Sequence, residues 1–226
     1  MTNMPADIGL GARTRRSVIG MALGIAGAVA LAALPVFTPP AAAQATATAQ
    51  KIADHFASIR SMTGEFVQFD ARGRQTGGKF YIQRPGKVRF NYDGNAGFRV
   101  ISDGDSVVLE NPRMKTMDLY PLSKTPLKLL LNDRIDLSGN KVRSVKEEPD
   151  QTVIQLVDKS SFGNSRITMK FDPSNYELKE WTITDAQGKD TTVMIFNVRQ
   201  DVKIDQSLFT IDYKKNIEIN RKKSNR

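Results

Sequence analysis

The sequence predicts a mainly β protein, built as one antiparallel sheet, sandwich or barrel with two short helical segments. Apolar and polar residues alternate repeatedly between residues 78 and 199, as they do in half-buried strands. Asp-Gly, Pro-Gly and Asn-Pro pairs interrupt this alternation at short intervals and supply tight turns. Two short stretches with helical spacing are too few to form a layer over the sheet, but they can cover one opening.

The first 43 residues have the three-part pattern of an exported protein. Arg13, Arg15 and Arg16 precede the apolar run 18–34, and the small residues at 41–43 resemble a cleavage site. The run is short for a membrane span, which needs about 20 residues. We therefore predict a signal peptide that is cleaved after its last alanine, the alternative being a retained membrane anchor.

The export route remains open between two mechanisms. Residues 14–19, Thr-Arg-Arg-Ser-Val-Ile, resemble the twin-arginine export signal. A general secretory signal with two adjacent arginines fits as well. Either route predicts a protein that works in the periplasm, and no cysteine follows the signal to carry a lipid anchor.

The residue inventory excludes several kinds of catalytic and metal site. With no cysteine there is no thiol nucleophile, thiolate metal site or disulfide, and one histidine, His55, cannot form a multi-histidine site. Asp103 and Asp105 flank Gly104 in a turn and lack the spacing of a calcium loop. We find no hydrolase, zinc-protease or phosphate-loop motif, and we expect no enzyme, no cofactor and no metal.

A net charge of +9 raises the question of nucleic acid binding. The export signal argues against it, and the basic residues lack interleaved aromatic residues for base stacking. Much of the charge lies in the C-terminal tail, residues 214–226. We expect this tail to be a solvated, frayed end, with contact to anionic lipid or to a partner as the alternative.

One domain, residues 44–213, contains the remaining predicted elements. Ile52, Phe56 and Ile59 form the apolar stripe of an amphipathic helix at 46–60. A very apolar helix at 125–131 follows a threonine cap and a proline. Strands are expected at 78–84, 87–92, 98–102, 107–110, 140–147, 151–158, 165–171, 177–184 and 190–199, with a last edge segment at 207–211.

Residues 80–90, Phe-Tyr-Ile-Gln-Arg-Pro-Gly-Lys-Val-Arg-Phe, resemble the strand–arginine–proline segment of the LolA-type outer-membrane lipoprotein carriers. Each matching segment is short, but their order and spacing together make the resemblance specific, and it extends over residues 46–213. The further segments that resemble this family are 62–68, 100–104, 110–112, 125–127, 162–164, 178–181 and 208–211.

The resemblance implies an unclosed antiparallel β-barrel, a half-barrel, with a helical lid over an apolar cavity. It implies a carrier of lipoprotein acyl chains that receives cargo from an inner-membrane releasing transporter and delivers it to an outer-membrane receptor, acting as a monomer. In the family, a buried arginine on the sheet donates hydrogen bonds to carbonyls of the lid while the cavity is empty. Arg84 occupies that place here, and the period-two rule directs it inward with Phe80 and Ile82. It is therefore expected to hold the 125–131 helix.

The remaining cavity residues follow from the alternation along each strand. Residues 193–198 are apolar on both faces, so the inward direction of Met194 and Phe196 is a guess. Family members often have an aromatic residue four positions after the arginine, where this chain has Val88. The expected acyl-chain cavity consists of Phe66, Phe80, Ile82, Val88, Phe90, Phe98, Val100, Leu127, Leu130, Leu131, Trp181, Ile183, Met194 and Phe196.

Three other functions fit the same fold. A sensor of lipid or lipoprotein on the same half-barrel would usually need a partner-binding domain, for which 44–213 leaves no room. A carrier of a different lipid, such as a glycolipid or terpenoid, needs no feature that this sequence lacks. A lipid hydrolase is disfavoured because the chain has no cysteine and one histidine.

Overall fold

The structure is a computed structural model that describes residues 47–94, 97–137, 141–160 and 163–224. The described residues all belong to one compact unit. The predicted signal peptide at 1–43 and Phe162 lie outside the described residues.

Eleven strands and three α-helices make up the described part of the chain. The strands are β1 (Ser61–Phe69), β2 (Gln75–Gln83), β3 (Lys87–Tyr92), β4 (Arg99–Asp103), β5 (Ser106–Asn111), β6 (Thr116–Pro121), β7 (Val142–Glu147), β8 (Thr152–Ser160), β9 (Gly163–Phe171), β10 (Leu178–Thr184) and β11 (Asp190–Gln200). The helices are α1 (Ala47–Ser58), α2 (Leu127–Leu131) and α3 (Tyr213–Ser224), with 3₁₀ turns at Leu122–Lys124 and Gln206–Phe209.

The strands form one antiparallel sheet in the order β6-β5-β4-β3-β2-β1-β11-β10-β9-β8-β7. β6 and β7 are its two edges, so the sheet is not closed, and the predicted unclosed antiparallel β-barrel is confirmed. Consecutive strands pair with each other within β1–β6 and within β7–β11, and the pairing of β1 with β11 joins these two halves. Among the described helices, none is long and apolar enough to cross a membrane.

α1 and α2 cover the inner face of the sheet, and we call these two helices the lid. α1 buries Ala49, Ile52, Ala53 and Phe56, the spacing of a single helical face. The helix ends at Ser58, whose hydroxyl donates to the His55 carbonyl. α2 follows Pro126 and buries its last three leucines. The predicted helices therefore exist, each shorter than expected.

The inner face and the lid share one apolar core. Phe66, Phe80, Phe90 and Trp181 are buried at its centre, and α1 contributes Phe56. The rings contact each other at angles typical of aromatic pairs: the centroids of Phe66 and Phe90 are 5.0 Å apart, and those of Phe90 and Trp181 are 6.2 Å apart. In this closed arrangement the side chains of the lid pack against those of the inner face.

Two strands and the chain end differ from the expectation. β1 and β6 were not predicted, and the expected edge segment at 207–211 is instead a 3₁₀ turn, Gln206–Phe209. The expected frayed tail is also wrong. It forms α3, which lies against β6 and packs Ile219 onto a second, small apolar cluster on the outer face of the sheet.

The expected direction of Met194 and Phe196 is wrong as well. Their side chains are 45% and 41% exposed, while Val193 and Ile195 are buried. The cause is pairing: Ile195 lies directly opposite Phe66 of β1, and directly opposed residues of an antiparallel pair share a face. Since Phe66 is inward, Ile195 must be inward and its neighbours outward.

Candidate functional site

Arg84 lies immediately after β2 and is 5% exposed. The alternation that buries Phe80 and Ile82 continues into this residue, so its side chain points inward as expected. Pro85 and Gly86 then turn the chain into β3. A guanidinium is therefore placed inside an otherwise apolar interior, directly under the lid.

The guanidinium donates hydrogen bonds to carbonyls of both lid helices. Nη1 donates to the carbonyl of Ile59 at 2.7 Å and to that of Phe56 at 3.2 Å, at the end of α1. Nε reaches the carbonyl of Leu130 in α2 at 3.5 Å. The last carbonyls of a helix lack intrahelical partners and carry partial negative charge, so a cation stabilises them. The sequence predicted contact with α2, whereas the shorter bonds go to α1.

A ring contact supplements these hydrogen bonds. The guanidinium carbon of Arg84 lies 3.7 Å from the centroid of the Phe56 ring. A cation over an aromatic face is attracted by the ring, and more strongly when both are desolvated. Arg84 therefore binds α1 through its backbone and through its buried aromatic side chain.

The buried charge is incompletely compensated. Burial and, to a smaller extent, the positive charge of Arg60 lower the pKa of Arg84 to about 10, while Asp133 opposes the shift. Arg84 Nη2 is buried and has no hydrogen-bond partner among the described residues. A desolvated charge with an unpaired donor costs free energy. The closed lid is thus held by specific bonds and also carries an electrostatic penalty that opening would relieve.

Backbone contacts also hold α2 to the sheet. The amide of Gly86 donates to the carbonyl of Leu131 at 2.9 Å, and Ser102 Oγ donates to the carbonyl of Gly86 at 2.7 Å. Gly86 has φ +76°, and a Cβ there would lie 2.8 Å from Gly104 Cα. The turn between β2 and β3 can approach Gly104, in the turn between β4 and β5, so closely because position 86 has no side chain.

An exposed ion pair connects the chain after α2 to the sheet. Arg60 Nη1 lies 2.8 Å from Asp133 Oδ1, and both side chains are mostly exposed. The backbone carbonyl of Arg60 accepts from the amide of Arg84, which fixes position 60 to the end of β2. Exposed ion pairs contribute little stability. This pair nevertheless shows that the chain just after α2 lies close to the chain just before β1.

Most residues expected in the apolar cavity do lie together in the interior. Those fully buried in the shared core are Phe66, Phe80, Ile82, Val88, Phe90, Leu130, Leu131 and Trp181. Val100, Leu127 and Ile183 are partly buried against this core. Phe98 lies just before β4, half-buried, with its ring centroid 4.9 Å from that of Tyr92. Only Met194 and Phe196 are outside.

The sequence analysis placed Trp181 and Ile183 of β10 in the cavity but missed the contribution of β8 and β9. Ile154, Ile167, Met169 and Phe171, from β8 and β9, are buried in the same core. Their alternation with polar residues was the signal that could have identified them. The interior is therefore lined by both halves of the sheet.

A groove of about 320 Å³ lies where α1 ends, between the start of β10 and the end of β11. It is lined by Phe56, Ile59, Met62 and Ile195, all members of the interior core, and by polar residues including Lys179. Apolar groups of the interior therefore border a cleft at one end of the lid.

An unclosed sheet whose apolar inner face is covered by helices, with a buried cation under them, defines the class of lidded half-barrels. The family model described as "Outer membrane lipoprotein carrier protein LolA" matches residues 57–212. The chain therefore belongs to the LolA family of outer-membrane lipoprotein carriers, a family of binding and transport proteins.

Curated relatives agree with this membership. The outer-membrane lipoprotein carrier protein of Chromohalobacter salexigens is 27% identical and covers 80% of this chain and 91% of its own length. That of Methylococcus capsulatus is 28% identical over 79% of this chain and 90% of its own length. These matches favour a lipoprotein carrier over a sensor or a carrier of another lipid.

One solved structure matches this chain at low identity. The LolA superfamily protein NE2245 of Nitrosomonas europaea is 12% identical, with a TM-score of 0.43, over 74% of this chain and 100% of that one.

Proposed function

We propose that this protein carries lipoproteins across the periplasm by enclosing their acyl chains between the sheet and the lid. The observation that carries the proposal is Arg84, a buried cation that binds backbone carbonyls of both lid helices above an apolar face. Carriage is the function of the family, and it involves binding and release without a catalytic step.

The acyl chains supply the free energy of uptake. Each CH₂ group withdrawn from water contributes about 0.8 kcal/mol, so a few chains would bind too tightly to be released. Because the buried side chains of the inner face pack against those of the lid, acyl chains that enter between them must displace the lid and break the Arg84 bonds. Closing the empty protein restores those bonds, which lowers the net affinity to a level that permits release.

The remaining steps of carriage follow the family's order of events. The signal at 1–43 would be removed after export, so that the carrier acts in the periplasm. It would receive its cargo from an inner-membrane releasing transporter and pass it to an outer-membrane receptor, one carrier molecule for each lipoprotein. We propose that Arg84 acts as the gate, because its bonds to the lid must break before cargo enters. The buried residues of the inner face would form the acyl-chain site.

A release assay tests this function. Inner-membrane vesicles that contain the releasing transporter and a labelled triacylated lipoprotein are incubated with ATP and the purified protein. We expect the label to appear in the supernatant only when this protein is present, because the acyl chains need an apolar site outside the membrane. A carrier of other lipids would leave the lipoprotein in the vesicles.

A further inference from the structure

The residues that follow the family match form a helix with specific contacts to the sheet. The family match ends at residue 212 and α3 begins at Tyr213. Asn216 is buried and its amide donates to the carbonyl of Met117 in the edge strand β6, at 2.7 Å. The Tyr213 hydroxyl donates to Asp103. α3 therefore has a fixed face toward the sheet and a fixed face outward.

An ion-pair network holds the start of α3. Glu110 is buried in β5, and Arg99 Nε and Lys215 Nζ each lie 2.6 Å from one of its oxygens. The hydrogen bond from Arg99 lowers the pKa of the Glu110 carboxyl below its usual value, so it is ionised at neutral pH. Lys215 is thus occupied on the inner side of the helix and is not part of the outward face.

The outward face of α3 is basic around one exposed apolar residue. Lys214, Ile217 and Arg221 lie on the side of α3 that faces away from Asn216, with Glu218 among them. Lys222 lies at the edge of this face, two turns beyond Lys215. Ile217 is 65% exposed. Three cations would be costly to bury against the rest of the chain, so this face of α3 is exposed to solvent.

The turn between β5 and β6 extends this surface. Arg113 and Lys115 flank Met114, which is 69% exposed. Lys115 and Pro112 line the same groove as Lys215 and Ile219 of α3, so the turn adjoins the helix on the flank that carries Lys222. Met114 and Ile217 are the two most exposed large apolar side chains among the described residues. We call the turn 112–115 and the outward face of α3 together the basic surface.

We propose that the basic surface docks onto a bilayer that contains anionic phospholipid. Exposed apolar side chains surrounded by lysine and arginine are the pattern of helices that lie at a membrane interface. Anionic headgroups attract each nearby cation, and long basic side chains reach the headgroups while apolar ones enter the acyl boundary. The arginine and lysine of the turn add to the three cations of the helix, so the basic surface carries five positive charges and one negative charge, that of Glu218.

Vesicle flotation tests this docking, using the protein purified from a periplasmic extract. We expect binding to vesicles of phosphatidylglycerol and phosphatidylcholine and no binding to phosphatidylcholine alone. Binding should be lost near 1 M salt, where the screening length is about 3 Å. The vesicles contain no lipoprotein, so the result is independent of carriage.

Two sets of substitutions identify the surface. The triple variant K214Q/R221Q/K222Q should bind on the order of 100-fold more weakly, since each cation near an anionic surface contributes about 1 kcal/mol. M114S/I217S should also bind more weakly. The matched control K79Q/K189Q/R199Q removes three exposed cations from β2, β11 and the turn before β11, and it should bind like the wild type.

Circular dichroism checks that each variant remains folded. Equal loss of binding in the control and the α3 variant would overturn the proposal, because general charge would then be the cause. Failure of the wild type to bind the anionic vesicles would overturn it too, including the case in which α3 instead captures an acidic periplasmic protein.

Discussion

Replacing Arg84 by leucine is expected to leave cargo uptake intact and to slow cargo release by about 100-fold or more. The substitution removes the hydrogen bonds to Phe56 and Ile59, and so destabilises the closed, empty protein that release must produce. A hydrogen bond from a charged group contributes about 1.5–3 kcal/mol, and about 1.4 kcal/mol corresponds to a tenfold change. Two such bonds therefore account for the expected factor.

The measurement is the rate at which a labelled lipoprotein moves from the isolated complex to its outer-membrane receptor. Arg60→Leu is the matched control, because Arg60 lies beside Arg84 and its side chain forms an exposed ion pair with Asp133, while its backbone contact with Arg84 does not depend on the side chain. The control should release cargo at nearly the wild-type rate. Wild-type release from the Arg84→Leu complex would contradict the role of Arg84 as a gate.

Fixing the lid to the sheet is expected to abolish uptake of lipoprotein. The chain has no cysteine, so Arg60→Cys with Asp133→Cys introduces a single reactive pair, which a short reducible bifunctional thiol reagent can connect. Position 60 is held to β2 by its backbone, and position 133 follows α2. Since the lid packs against the apolar cluster that includes Trp181, a protein that cannot open should not admit an acyl chain between the lid and the sheet.

The measurement is retention of a labelled lipoprotein in solution before and after reduction of the connection. Reduction should restore uptake in the same sample, which shows that the pair itself is tolerated. Lys170→Cys with Glu180→Cys is the matched control, since it replaces an ion pair between β9 and β10 within the sheet. Uptake by the connected lid variant at the level of this control would mean that the lid need not move.

The fold could be predicted where each strand has its own local signal. β3 has the predicted bounds because Val88, Phe90 and Tyr92 alternate with polar residues between two turns. β1 gave no such signal, since Gly64 interrupts its pattern. In the structure Gly64 lies where the pairing of β1 with β11 shifts register, and a Cβ there would lie 2.8 Å from the Phe196 carbonyl. The need for a glycine at position 64 therefore becomes clear only when β11 is in place beside β1.

The candidate site could be predicted in part. The inward direction of Arg84 followed from two preceding residues of its own strand. Its bonds to Phe56 and Ile59 depend on how a helix more than twenty residues earlier crosses the sheet, and no local pattern contains that information. α3 was missed for a related reason: its hold on the sheet comes from Asn216 and Lys215, polar residues that give no apolar periodicity.

Native mass spectrometry with a triacylated lipoprotein tests the central claim most directly. The processed protein is incubated with the lipoprotein, the detergent is removed, and the soluble species are weighed. Carriage predicts a complex of one protein with one lipoprotein that stays in solution without detergent, and the same experiment with Arg84→Leu predicts a complex that persists longer. A lipoprotein that precipitates while the protein remains unliganded would contradict carriage.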